Sequence, residues 1–184
     1  KYLSITLGKA ERLEDLINEF FAITRFNIYD ITLQYTKINF TRLLEKLVYE
    51  FKPMLKSKNL QCNLCVDDDI MLRCDADKIQ RVFDNLLRNA VIYSFENTDI
   101  TISAQCQEDT VSIIFCNHGD TLPEEKLNRI FEQFYRLDAA RSTSSGGAGL
   151  GLAIAKQIVE LHNGTIVAES QEDQNKFSIT LPLA

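Results

Sequence analysis

Residues 75–94, DADKIQRVFDNLLRNAVIYS, constrain the fold more than any other stretch of the chain. Ile79, Val82, Phe83, Leu86, Leu87, Ala90 and Val91 recur at i, i+3, i+4, i+7, i+8, i+11 and i+12. At about 3.6 residues per turn these side chains share one face, so the segment must be a helix lying against a larger apolar surface. Asp75 or Asp77 can cap its start, and the pattern runs to about Phe95. Asn85 and Asn89, four apart, fall together at the edge of the stripe. A half-buried amide costs free energy unless it has partners. Taken alone, the pair is compatible with a bound polar group and fits two solvated residues on an ordinary helix somewhat better.

That surface is to be sought in the strand-like segments around the helix. A short strand is expected near Lys37 to Phe40, then a helix from a Thr41 cap to about Ser57. Strands follow near Leu60 to Val66 and Met71 to Cys74, and beyond the central helix a hairpin-like pair spans Asp99 to Gln105 and Val111 to Asn117. The second half predicts a short helix from Pro123, a Gly-rich loop, a long helix to His162, and closing strands near Gly164 to Glu169 and Lys176 to Leu181. This alternation predicts an α+β fold, a two-layer sandwich of one mixed sheet covered by three main helices.

The N-terminal stretch is different. Leu3, Ala10, Leu13, Ile17, Phe20 and Thr24 are spaced by seven, three, four, three and four residues, which is heptad spacing. With Leu7, Leu16 and Phe21 the stripe exceeds what one helix can hide, so partners in a bundle or dimer are expected, against the plainer alternative of a helix folded back on its own domain. The domain boundaries read from these patterns are a helix over residues 1–27, a linker over 28–36 and one domain over 37–184.

Composition excludes several classes. A net charge of -6 leaves no basic face for a polyanion, so no nucleic-acid partner is expected. The five cysteines, Cys62, Cys65, Cys74, Cys106 and Cys116, are an odd set read as reduced thiols. Cys62 and Cys65 have metal-knuckle spacing but lie in a strand-like run, where residues three apart point to opposite faces, and no second ligand pair exists. No stretch reaches the roughly 20 apolar residues of a membrane span.

Two further segments suggest chemistry. In GGAGLGLAIAKQIVELHNG, residues 146–164, glycines lead directly into a helix. Free N–H groups and the positive dipole end there suit phosphates, although neither the Walker nor the dinucleotide fingerprint is matched. Between this loop and the central helix lies FCNHGDTLPEEKLNRIFEQFYRLDAARST, with the aromatics Phe131, Phe134 and Tyr135 ahead of Arg136 and Arg141. Those arginines suit phosphate oxygens and suit a solvated surface equally well.

In this order and spacing the segments resemble the catalytic, ATP-binding domain of sensor histidine kinases, in the superfamily shared with gyrase, Hsp90 and MutL (the Bergerat fold). DNLLRNA matches the N box, NHGDTLP the first glycine box, FEQFYR the F box, GAGLGLAI the second glycine box and HNGTI the motif after it. The resemblance covers residues 37–184, and the N-terminal helix resembles the second helix of the family's dimerisation bundle. It implies ATP and Mg²⁺ as cofactors, with Asn89 as the metal ligand and Asn85 beside the phosphates in a catalytic position. It implies Asn117 at the adenine-reading position, with Tyr93, Gly119, Leu122, Phe134, Leu150 and Leu152 lining the nucleotide. Gly147, Gly149 and Gly151 would cradle phosphates, residues 142–147 would form a lid, and Arg136 and Arg141 would contact phosphates when it closes. Implied partners are a response regulator and a second copy joined through the bundle. The membrane would be reached only through upstream segments, making this the cytoplasmic domain of a bacterial membrane protein.

Three residues depart from the family pattern. Asn117 stands where an Asp is usual, Thr121 replaces the second glycine of its box, and Ile92 occupies the place of a phosphate-binding Lys. Weaker adenine binding and greater reliance on Mg²⁺ and the lid arginines are the expected consequences. At Asn85 the superfamily's ATPases resemble one another in carrying Glu, and an amide cannot act as the general base for water. The chain is therefore expected to be a histidine kinase, over an ATPase or anti-sigma serine kinase of the same superfamily or a non-catalytic regulatory module. His118 and His162 lie in no acceptor-like motif. Autophosphorylation by this chain alone is not expected.

Overall fold

The computed structural model describes residue 6 and residues 32–67, 69–136 and 149–183. The helix expected over residues 1–27, apart from Thr6, and the first part of the linker lie outside the described residues. The described elements are β1 (Thr36–Asn39), α1 (Phe40–Ser57), β2 (Gln61–Val66), β3 (Met71–Cys74), α2 (Ala76–Tyr93), β4 (Asp99–Gln107), β5 (Thr110–His118), α3 (Glu124–Leu127), α4 (Gly151–Leu161), β6 (Thr165–Gln171) and β7 (Gln174–Pro182).

The main sheet has five strands in the order β2-β4-β5-β7-β6. Its β2–β4 pair is parallel and the others are antiparallel. Alternation of side chains sends Ile100, Ile102, Val111, Ile113, Phe115, Phe177, Ile179 and Leu181 to one face, where all are buried. Helices α1, α2 and α4 cover that face. The whole predicted stripe of α2, Ile79 to Val91, is at most 3% exposed. Phe83 links the layers, its ring 5.4 Å from Phe40 of α1 and 5.6 Å from Phe115 of β5. Burial of these side chains contributes roughly 1.5–3 kcal/mol each, which is why the stripe dictates the layering.

Two local expectations are revised. β3 leaves the main sheet and pairs antiparallel with β1, Ile38 opposite Leu72, as a separate two-stranded ribbon. The cap of α1 is Asn39 rather than Thr41, because the Asn39 side-chain oxygen Oδ1 accepts from the Arg42 N–H at 3.0 Å. Thr41, the second residue of the helix, donates its hydroxyl to Asp67 O and accepts from Ile70 N, tying α1 to the β2–β3 connection. At α2 the cap is Asp75, accepting from Lys78 N at 3.2 Å. The other end of α2 is held by Lys58, whose ammonium donates to Ile92 O and Ser94 O, a cation at the negative end of the helix.

Candidate functional site

The ends of α2, β5 and β7 meet over a cavity of about 220 Å³. Its wall carries Asn89 and Tyr93 from α2, Asn117 from β5, Leu152 from α4, and Asn175 and Phe177 from β7. The segment after β5 closes it with Asp120, Thr121, Leu122, Pro123, Lys126 and Ile130. The wall is mainly apolar with three amides and the charged side chains of Asp120 and Lys126, a composition that suits a flat, partly polar ligand.

Asn117 and Asn175 are 2% and 7% exposed. They stand directly opposite each other in the β5–β7 ladder, on the face turned to the helices. The sheet places these amides where a core residue would sit. Asn117 Nδ2 and Asn175 Oδ1 are nevertheless buried without hydrogen-bond partners, as is Asn85 Nδ2 on α2. Leaving such a group unsatisfied costs about 1–3 kcal/mol each, a cost that a polar ligand in the cavity removes.

The segment after β5 is fastened to the β6–β7 turn. Gly119 N donates to Asp173 O at 2.9 Å, Asp173 N to Thr121 Oγ1 at 2.8 Å, and Leu122 N to Ser170 Oγ at 2.7 Å. Gly119 also lies against Tyr93 O, so that a Cβ there would collide with the end of α2. Thr121, where the family pattern has glycine, thus has its own structural role: its hydroxyl holds the turn at Asp173.

The second glycine segment flanks the other end of the site. Gly149 has φ +76°, and its carbonyl accepts from Phe134 N at 3.0 Å. A Cβ on Gly149 would sit 2.8 Å from Tyr135 O and 3.1 Å from Arg136 Cγ, so this glycine is packed against the F-box backbone. Gly151 begins α4, whose N-cap residue Leu150 offers no side-chain cap. Among the described residues no side chain caps the first-turn N–H groups of α4, and a Cβ on Gly151 would lie 3.2 Å from Asn85 Oδ1.

Of the residues expected at the site, the structure brings Asn89, Tyr93, Asn117, Leu122 and Leu152 onto the cavity wall. Asn85 sits beside Gly151 and Arg136 beside Gly149, off the wall, while Gly119 shapes it from behind. Leu150 is 1% exposed and belongs to the core. Phe134 is exposed, with φ +64°. Arg141, Gly147 and the expected lid lie outside the described residues. Asn175, Lys126 and Phe177 line the wall without having been singled out from sequence. An Asn on the core face of a strand reading Asn-x-Phe-x-Ile-x-Leu was the available signal. Among the described residues no group of three or more His, Cys, Asp or Glu could hold a metal ion. A divalent cation would find a protein ligand in the Asn89 amide oxygen, the rest coming from phosphates and water, a pattern suited to Mg²⁺.

Cys62 and Cys65 alternate on β2, half-buried and exposed. No disulfide joins the five, which are all free.

Comparison with known proteins places these features. Residues 74–184 match the family model described as histidine kinase-, DNA gyrase B-, and HSP90-like ATPase. Sensor protein VanS of Enterococcus faecium is 49% identical over 182 residues, 99% of this chain and 47% of that protein. Sensor protein VanSC of Enterococcus gallinarum is 44% identical over 182 residues, 99% of this chain and 50% of that protein. The chain spans about half the length of these curated relatives. Among solved structures, histidine kinase ThkA in complex with response regulator protein TrrA is similar with a TM-score of 0.80 and 26% identity, covering 100% of this chain and 51% of that chain.

Proposed function

The chain belongs to the histidine kinase-, DNA gyrase B-, and HSP90-like ATPase family, and from that premise we propose that it is the ATP-binding catalytic part of a sensor histidine kinase of the VanS kind. Its reaction is transfer of the ATP γ-phosphoryl group to a histidine on a helical bundle, and thence to a response regulator of the VanR kind, in vancomycin-resistance signalling. The kinship to VanS and VanSC over nearly the whole chain supports the pathway. The observation that carries the nucleotide reading is the buried, unpaired Asn117 amide on the wall of a cavity large enough for a base.

Each residue has a role that follows from its position. Asn117 and Asn175 bind the base edge between Tyr93 and Phe177. Asn89 would hold Mg²⁺ through its amide oxygen, and the ion would supply neutralisation of the phosphate charge. The N–H groups at the start of α4, with Gly149 and Gly151 allowing close approach, bind phosphate oxygens. Asn85 flanks that end, and because its amide accepts no proton it leaves water unactivated, which favours transfer over hydrolysis. Arg136 completes the phosphate contacts, a role that the family resemblance extends to Arg141 and Gly147. Dimerisation and the approach to the membrane belong to the bundle and to the longer protein.

Calorimetric titration with a non-hydrolysable ATP analogue tests this. Binding should weaken at least about tenfold without Mg²⁺ and in Asn89→Ala, the size of one lost charge-assisted contact. Titrations indifferent to both changes would remove Asn89 from the metal site. Steady ATP turnover by the chain would favour the hydrolase reading over the kinase.

A further inference from the structure

The pair Asn117 and Asn175 has a chemistry that a carboxylate would not have. An Asp on β5 offers only acceptors to a base. It can pair with the exocyclic N6 amine of adenine, and it opposes the O6 of guanine with like charge. An amide carries a donor and an acceptor side by side. Adenine presents N6–H and N1, a donor beside an acceptor, and guanine presents O6 and N1–H, an acceptor beside a donor. A half-turn of the terminal amide makes Asn complementary to either edge.

Whether that half-turn is available depends on what else holds the amides. Asn175 is oriented, since its Nδ2 donates to Asp120 O at 3.3 Å, leaving Oδ1 as an acceptor with no partner. Asn117 is not: its Nδ2 is buried and has no acceptor. The site therefore joins one fixed acceptor to one amide that no neighbouring acceptor holds, at 7% and 2% exposure, so a base that enters must satisfy both.

We propose that the opposed amides Asn117 and Asn175 make this a purine site of relaxed selectivity, which accepts guanine nucleotides as well as adenine nucleotides. With adenine, Asn117 Oδ1 accepts from N6–H and its Nδ2 donates to N1. With guanine, Nδ2 donates to O6 and Oδ1 accepts from N1–H. Asn175 Oδ1 accepts from the second N6–H of adenine; with guanine it accepts from N2–H, which requires the base to slide along its edge toward β7. Asn117 itself brings no charge to the base edge and so does not repel O6; the charged groups on the cavity wall are Asp120 and Lys126. This inference rests on the nucleotide reading above and adds the residue pair that sets the base preference.

The test is a parallel titration of the 184-residue chain with non-hydrolysable ATP and GTP analogues, both with Mg²⁺, repeated on Asn117→Asp. In the native chain the two affinities should lie within about tenfold of each other, the cost of less than one unsatisfied buried group. In Asn117→Asp the ATP analogue should gain on the GTP analogue by about tenfold or more. ATP binding with GTP weaker by more than about a hundredfold in the native chain would overturn the proposal while leaving the nucleotide site standing. Failure of both analogues would overturn the nucleotide reading itself, and the proposal with it. Near-equal affinities whose ratio does not move in Asn117→Asp would remove Asn117 as the selecting residue. The native comparison decides the selectivity even if the buried carboxylate prevents the variant from folding.

Discussion

Gly149 and Gly151 look interchangeable in the string GAGLGLA, yet the structure asks different things of them. Gly149 holds φ +76° with the F-box backbone where its Cβ would be. Gly149→Ala thus meets both left-handed strain and a contact at 2.8 Å with Tyr135 O. It should destabilise the fold by about 1–3 kcal/mol, read as a lower urea midpoint at unchanged slope. Gly151 is in the first turn of α4, where its added Cβ would meet only the end of the Asn85 side chain at 3.2 Å. Gly151→Ala should leave the midpoint within about 1 kcal/mol of native, since alanine also favours helix, while nucleotide binding weakens through displaced Asn85. Equal midpoints for the two variants would show that the positive φ carries no strain.

At the scale of elements, His162 is the clearest case of a residue acting through others. It ends α4, is 2% exposed, and accepts from Asp75 N through Nε2 at 3.1 Å while Nδ1 lies 2.8 Å from Ile158 O. Those partners require a neutral ring with the proton on Nδ1, since only that tautomer donates to the carbonyl and accepts from the amide. One side chain thus closes the C-terminus of α4 and steadies the capping residue of α2. Tyr35 packs edge-on against the ring at 5.5 Å, and Gln34 N donates to Asp75 Oδ2, so the segment leading into β1 is held at the same point. His162→Leu leaves the Asp75 N–H buried and unpaired and should cost about 1–3 kcal/mol. Amide exchange at Asp75 and Lys78 should accelerate more than exchange in the β5–β7 ladder. Uniform acceleration would mean the loss is one of packing alone. Elements with strong periodicity, α2 above all, were legible in the sequence because a dense apolar stripe permits one answer. The pairing of β3 with β1 was not, since nothing local in MLRC names its partner. Asn39 was overlooked as a cap because Thr41 competes for that role in the sequence, and only the position of the β2–β3 connection decides between them. Asn175 was missed because β7 begins three residues before its apolar pattern does. A third of the cavity wall, Asp120 to Pro123, comes from the non-periodic segment between β5 and α3, where spacing carries no signal.

For the molecule as a whole, the burial of thiols ties stability to alkaline pH. Burial raises the Cys62 thiol from 9.0 to about 11. Burial, with the Asp75 carboxylate beside it, raises Cys74 to about 12. Burial raises Cys116 too, with Lys176 opposing. In the unfolded chain these thiols would lose their protons from about pH 9.0, while the folded chain keeps them. Above that pH the unfolded state binds fewer protons, so the stability that is complete below it falls as pH rises toward about 11 and 12. Asp84 has the same sign at acid pH: burial first, then Glu50, raise its carboxyl against the pull of Arg88 and Lys46, so its contribution is also lost as pH rises. Denaturant midpoints measured across the alkaline window should therefore fall more steeply for the native chain than for Cys62→Ala with Cys74→Ala. The comparison cancels the tyrosines and lysines, which ionise in the same range in both proteins. The two thiols differ in what else the substitution removes: Cys74 is 1% exposed in the β1–β3 ribbon, so its alanine also loses packing, while half-buried Cys62 loses less. That packing loss lowers the midpoint by a constant, whereas proton linkage changes its slope with pH. A parallel displacement of the two curves would mean that the thiols contribute packing and no linkage.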